Sequence, residues 1–201
     1  MSPARNRAPA KASDEVREAL LDAVGELLAD RTWSGLRMAD VATQAGLSRQ
    51  TVYNAYGNRD ALALAYVTRE AERFLGTVGE VVAAHAEDPE QALRAALEIF
   101  LAAAGTHPLV RAISAAEEGD ELLVLVTTGG GPVLGPVTAG LAAQIKATWP
   151  EVGDEPANLA AETLVRLAIS HAALPTGTPA ETAERVGSVL GPFIRAEIDV
   201  D

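Results

Sequence analysis

The chain has 201 residues and no cysteine, and its 28 Asp and Glu outweigh its 16 Lys and Arg to give a formal net charge of -12. The missing cysteines exclude disulfides, thiolate zinc sites, iron-sulfur clusters and cysteine nucleophiles together, and they suit a reducing, cytoplasmic setting. A hydrophobic share of 48% with only 4% aromatic residues means a core of Ala, Val and Leu, which favours helices.

The first twelve residues carry Arg5, Arg7 and Lys11 and lack the apolar run of a secretory signal, so they read as a disordered basic arm. From Asp14 to Asp30 the apolar residues Val16, Leu20, Ala23, Val24, Leu27 and Leu28 recur at helical spacing. Ser13 is their candidate N-cap, and the segment is an amphipathic helix. A second, short helix is expected over 38–45, stopped by Gly46, and a third over 49–55, capped by Ser48. Two short helices separated by Gly46 and Leu47 make a helix-turn-helix over 37–56. Asn58 then caps a long helix from Arg59 to about residue 86.

The charge is divided along the chain. Residues 1–75 hold ten basic and ten acidic side chains, so residues 76–201, with six against eighteen, carry the whole -12. Within the neutral part, Arg31, Arg37, Arg49 and Arg59 face only Asp40, a local +3. A basic patch on an acidic chain lets one face approach a polyanion while the remainder repels it.

In a helix-turn-helix the leading turn of the second helix meets base edges, and flanking groups hold phosphates. Arg49, Gln50 and Thr51 occupy that turn, and their side chains are able to read guanine, adenine and the thymine methyl group respectively. Tyr53 and Arg59 stand at phosphate positions, whereas Tyr56 reads as core. A plain helical hairpin with solvated arginines is the competing reading; it leaves the Gln-Thr turn and the local +3 unexplained.

The run VATQAGLSRQTVYNAYGNRDAL, with the amphipathic helix before it, closely resembles the DNA-binding domain of the TetR family of transcriptional regulators over about residues 13–73. The resemblance implies an all-α protein: a three-helix DNA-binding head, then a larger helical body over 74–201 that binds a small effector and dimerises. It implies release of operator DNA when the effector binds. It makes Ser48 to Asn54 the recognition helix, matches Tyr53 to the family's phosphate-binding tyrosine, and puts Arg59 where a phosphate-binding lysine is usual. Arg37 departs from the Thr or Ser that caps the second helix in the family, so the cap is expected to be lost while a phosphate contact survives. Asn54 and Ala55 replace a larger pair and leave the operator sequence open.

In the body, Asp88 and Pro89 open a helix to about residue 104, and Pro108 opens another to about 116. Residues 122–127 are expected to be helical. Residues 122–145 contain no charge over 24 positions, yet Gly129 to Gly131, Pro132, Gly135 and Pro136 break them, which argues for a buried, broken helix pair and against a membrane span. Further helices are expected over 132–149, 154–174 and 178–198, the last opened by a Thr178–Glu181 capping box. Leu164, Leu167, Ala168, Val186, Val189, Leu190 and Phe193 form apolar faces on the last two, either a dimer interface by analogy with the family or an internal core. Phe100, His107, Leu123, Val126, Thr127, Trp149 and His171 are candidates for the effector pocket, each also readable as ordinary core. The scarcity of aromatic and basic residues there points to a hydrophobic, fatty-acid-like effector.

No metal or other cofactor is expected. His85, His107 and His171 lack a Glu three residues before them, the GGGP run lacks the Lys-Ser/Thr of a phosphate loop, and no Gly-x-Ser-x-Gly elbow occurs. The alternatives to a DNA-binding regulator are therefore a helical enzyme without a visible reacting constellation or an interaction scaffold.

Overall fold

The computed structural model describes residues 7–103, 106–114, 122, 124 and 131–199, and among these it contains helices and no strand. Helices α1 (Arg7–Leu28), α2 (Met38–Gln44) and α3 (Arg49–Tyr56) form the head. Helix α4 (Arg59–Ala84) leaves the head and enters the body, which is completed by α5 (Pro89–Ala103), α6 (Pro108–Ser114), α7 (Gly131–Thr148), α8 (Asp154–Ala173) and α9 (Pro179–Ile198). Helix α1 begins six residues before the expected Ser13 cap, so Ser13 lies inside it and the basic residues Arg7 and Lys11 belong to a helix. Helix α7 continues through Gly135 and Pro136, as the helix expected over 132–149 does, whereas most of the helix expected over 122–127 and the break after it lie outside the described residues. Among the described residues no helix is long and apolar enough to cross a membrane.

The head is held by the stripe that the sequence spacing picks out. Leu20, Val24, Val41, Val52 and Leu62 are fully buried, and Trp33 and Leu36 of the α1–α2 linker plug the same core. The turn between α2 and α3 closes with the Leu47 amide donating to the Ala42 carbonyl at 2.9 Å and the Gly46 amide donating to the Thr43 carbonyl at 3.2 Å. That pair of bonds is the Schellman arrangement, and it requires a left-handed residue, supplied by Gly46 at φ 67°. Ser48 then caps α3 by accepting from the Thr51 amide, and Asn58 caps α4 by accepting from the Ala61 amide.

The body has its own core, in which α5 packs most extensively on α9. Close approach is possible because Gly187 and Gly191 face Glu90 and Arg94; a Cβ at Gly191 would lie 2.6 Å from the Glu90 Cα. Asp88 caps α5 by accepting from the Glu90 and Gln91 amides, and Thr178 and Glu181 form the expected capping box on α9.

One cluster of charges, in which Arg69 and Glu70 are buried and Glu18, Asp22 and Arg73 are exposed, ties α1, α4 and the start of α6 together. Arg69 on α4 reaches Asp22 at 2.8 Å and Glu18 at 3.3 Å on α1, and pairs at 2.8 Å with the neighbouring Glu70. Glu70, only 5% exposed, also takes a bond from Arg73 at 3.2 Å and one from His107 Nε2 at 3.1 Å. Burial alone would raise the Glu70 carboxyl, but the bonds from His107 and Arg69 outweigh it and hold the group below its ordinary value of 4.5. Burial by itself would likewise lower Arg69, and its carboxylate partners reverse the sign.

Two outcomes test this account. Gly46→Ala adds a Cβ that meets nothing within 4 Å, so its cost is the left-handed backbone alone, about 1–2 kcal/mol of stability in thermal or urea unfolding. Because Glu70 is depressed in the fold, its stabilisation is complete above the ordinary value of 4.5 and disappears as pH falls through the folded value. Glu70→Gln should therefore cost roughly 1.5–3 kcal/mol at pH 7. The gap between the two proteins should narrow in acid unfolding as pH falls below 4.5 and close once the folded Glu70 carboxyl is protonated.

Candidate nucleic-acid interface and body cavity

The recognition helix is fastened from below and bare above. Val52 is its buried anchor, while Arg49, Gln50 and Asn54 stand exposed and Tyr53 is 50% exposed. On this exposed side Gln50 Nε2 donates to Asn54 Oδ1 at 2.8 Å, and the hydroxyls of Ser48 and Thr51 lie 2.9 Å apart. Of the side chains predicted to read bases, Gln50 is thus linked to Asn54 and Thr51 to the capping Ser48. Tyr56 is half-buried against the head core; it donates its hydroxyl to the Arg17 carbonyl at 3.0 Å, and burial raises its pKa.

Arg37 sits at the N-cap of α2 in extended backbone and is exposed. Guanidinium has no acceptor to offer the helix amides, so the cap expected to be lost is lost on that side. Asp40 supplies the other half, its carboxylate accepting from the Arg37 amide at 3.0 Å and also facing Arg31 at 4.0 Å. Arg59 is placed differently from the expectation of a displayed phosphate contact. Its guanidinium turns back to the α1–α2 linker, donating to the Trp33 carbonyl and lying 5.0 Å from the centroid of the Trp33 ring. Helix α4 starts directly after α3, and an arginine there finds a π-face and a carbonyl closer than solvent.

The body holds a partly open cavity of about 140 Å³ between α4, α5, α6, α7 and α8. Of the predicted pocket residues, Phe100 lines it. His107 is one layer back: its ring lies 4.9 Å from that of Phe74, a wall residue, and its Nε2 is spent on Glu70. Trp149 is not on the wall; it is buried lower in the body, where its indole N–H donates to the Ala86 carbonyl at 2.6 Å. His171 is half-buried near the end of α8, also away from the wall, and Leu123, Val126 and Thr127 lie outside the described residues. The apolar faces assigned to dimerisation divide. Leu164 and Ala168 are buried and line the cavity, Val186 and Leu190 are buried in the body core, Leu167 and Phe193 are half-buried, and Val189 stands 70% exposed.

The wall residues that sequence reasoning missed include a run on α4: Val67, Ala71, Phe74, Leu75 and Val78. Their i, i+4, i+7, i+8, i+11 spacing is the signal that could have found them. Among the described residues no group of three or more His, Asp or Glu side chains is placed to hold a metal ion.

Comparison with known proteins places both parts. Residues 20–66 match the family described as bacterial regulatory proteins, tetR family, and residues 88–192 match the bacterial tetracyclin repressor C-terminal domain. The HTH-type transcriptional regulator AlkX of Mycobacterium tuberculosis is 33% identical over 178 residues, covering 89% of this chain and 84% of the relative. The crystal structure of the TetR family repressor AlkX from Dietzia sp. strain DQ12-45-1b, implicated in biodegradation of n-alkanes, superposes with a TM-score of 0.79 at 34% identity, covering 91% of this chain and 97% of that one. A regulator in complex with stearoyl-CoA, FadR from Bacillus subtilis, shares the fold with a TM-score of 0.60 at 14% identity, covering 87% of this chain and 97% of that one. An exposed reading helix on a capped helix-turn-helix, a separate helical body, and matches to the family over both parts make this chain a member of the TetR family of DNA-binding transcriptional regulators.

Proposed function

We propose that the chain is a homodimeric repressor that holds a near-palindromic operator through α2 and α3 and leaves it when a small apolar molecule enters the body cavity. The observation that carries this reading is the course of α4. One helix starts immediately behind the recognition helix and lines the cavity with Val67, Ala71, Phe74, Leu75 and Val78. A guest that pushes on that wall displaces the seat of α3 as well. Two further contacts support the same route: the charge cluster joining Glu70 and Arg69 to α1 and His107, and the bond from Arg111 on α6 to the Ala29 carbonyl at the end of α1. The relative from Dietzia is named a repressor, which supports the same sign of regulation here. A catalytic reading has less support, since the relatives are named as regulators and the cavity wall offers no reacting group among the described residues.

In this reading Arg49, Gln50, Thr51 and Asn54 address base edges, Tyr53, Ser48 and Arg37 address phosphates, and Arg59 braces α4 against Trp33. Dimerisation uses what α8 and α9 leave outside, with Val189 and Leu159, 55% exposed, beside the half-buried Leu167 and Phe193. Half-sites are then separated by about one helical turn or a multiple of it.

Binding measured by fluorescence anisotropy across a randomised operator library separates these roles. Tyr53→Phe should weaken every sequence alike, whereas Gln50→Ala should relax preference at one base position, by about 1–3 kcal/mol of discrimination. Identical profiles for the two variants would refute the division. Val189→Arg places a charge on the exposed face without touching the core; it should turn a dimer into a monomer in analytical ultracentrifugation with the circular dichroism spectrum unchanged. A dimer that survives the substitution places the interface elsewhere.

A further inference from the structure

Helix α1 carries an arginine whose position neither the head core nor the helix caps explain. We infer that Arg17 is a further contact to the sugar-phosphate backbone of DNA, set beside the C-terminal end of the recognition helix, so that α1 grips the duplex together with α2 and α3. This rests on the reading of α3 as the helix that enters the groove.

Arg17 is tied to α3 by two contacts. The carbon of its guanidinium lies 5.5 Å from the centroid of the Tyr56 ring, and its backbone carbonyl accepts from the Tyr56 hydroxyl at 3.0 Å. Tyr56 is the last residue of α3, three positions and about 4.5 Å of rise beyond Tyr53. Residues three apart share a helix face, and Tyr53 is the half-exposed side chain already assigned to phosphate. Helix α3 has no cation after Arg49, so Arg17 supplies from α1 the positive charge that this end of the recognition helix lacks. Tyr56, half-buried in the head core, is the platform that keeps the cation at a fixed distance from the residues that read bases.

The condition of the guanidinium suits an anion. Arg17 is exposed, and among the described residues no carboxylate lies at ion-pair distance from it, although the chain holds 28 acids and Asp14 stands one helical turn before it. Its neighbour Glu18 is taken up by Arg69 at 3.3 Å and Arg73 at 3.7 Å. The other arginines on this side of the molecule are committed elsewhere, Arg31 to Asp40 and Arg59 to Trp33. Stacking on a ring face leaves the in-plane N–H groups of a guanidinium open, and their fork matches two phosphate oxygens. Before Asp14 the sequence holds Arg5, Arg7 and Lys11 and no acid, so the charge at this end of α1 also favours a polyanion.

The test uses the full-length protein, a duplex that it selects from genomic DNA, and an unrelated duplex of the same length. Anisotropy is recorded over a series of NaCl concentrations for the parent, Arg17→Gln, Arg17→Lys and, as a matched loss of a body cation, Lys146→Gln on α7, whose partner is Asp154. Glutamine is a good helix former and the site is exposed, so the circular dichroism spectrum of Arg17→Gln should match the parent. Each phosphate contact adds about 0.9 to the slope of log K against log[salt], so Arg17→Gln should flatten that slope by about 0.9 per bound head. It should weaken both duplexes alike, on the order of fivefold per head at about 0.15 M salt. Arg17→Lys and Lys146→Gln should keep the parental slope. Parental slope and affinity in Arg17→Gln, with Gln50→Ala still relaxing preference at one base position in the operator library, overturns the Arg17 contact and leaves α3 as the reader. Equal losses in Arg17→Gln and Arg17→Lys assign the effect to packing on Tyr56 and overturn it too, as does a loss confined to the selected duplex. A flat Gln50→Ala profile together with parental binding by Arg17→Gln removes α3 as the reading helix, and this contact with it.

Discussion

Everything in this molecule depends on α4 belonging to two hydrophobic cores at once. Leu62, Ala63, Tyr66 and Val67 at its start are buried in the head, and Val82 near its end is buried in the body. At 1.5 Å of rise per residue its 26 residues span about 39 Å, so a single rigid element carries any displacement from one core to the other. The head is too small to be indifferent to that helix, since α1, α2 and α3 close around its first three turns. The body is equally committed, because α4 forms one wall of its cavity.

A continuous helix alone would transmit motion only if its two ends were gripped. At the head end the grip is apolar and aromatic: Tyr66 is fully buried against Gly25 of α1, and Trp33 receives the Arg59 guanidinium. At the junction the grip is ionic. Arg69 and Glu70 are adjacent in sequence and point to different partners, Arg69 to α1 and Glu70 to His107 at the mouth of α6. A buried charge group of this kind adds little net stability over apolar packing, but breaking one member leaves the others uncompensated, which makes its geometry strict. The junction is therefore a register device, fixing how α1, α4 and α6 sit with respect to one another.

The parts of this arrangement that follow local rules were legible in the sequence. Gly46, Ser48, Asn58, Asp88 and the Thr178–Glu181 box each act through neighbours within a few residues, and each stands where spacing and side-chain chemistry put it. What could not be read were choices between equivalent apolar surfaces. Leu164 and Val189 carry the same hydropathy signal, yet one faces the cavity and the other faces outward, because only tertiary packing decides which side of α8 or α9 meets the rest of the body. The contact of Arg59 with Trp33 was hidden for a related reason: a cation at a helix start has several partners within reach, and its distance to Trp33 is fixed by the fold of the linker. Glu70 escaped notice because an acid in an apolar stripe is anonymous until its distant partner His107, 37 residues away in the chain, is brought to it. Helix α1 overran Ser13 because the residues before it, Ala8 to Ala12 apart from Pro9, are good helix formers that a cap-based reading discounts.

The distribution of polarity along α4 also sets what kind of message it can carry. A ligand shifts a conformational equilibrium only by its difference in affinity for the two states, so a guest that fits the cavity equally well before and after α4 moves would bind and regulate nothing. Here α4 itself contributes Val67, Ala71, Phe74, Leu75 and Val78 to the wall, so any shift of α4 would change the shape that a guest meets. Apolar contact is short-ranged and volume-sensitive, and helical cores resist overfilling by moving whole elements more readily than by compressing. In the proposed function, a wall built from the same helix that seats the recognition helix would convert the simplest of interactions, the filling of space, into a change in how Arg49 to Asn54 are presented. The polar cluster that meets Phe74 through His107 fixes the observed arrangement by directional bonds between α1, α4 and the start of α6.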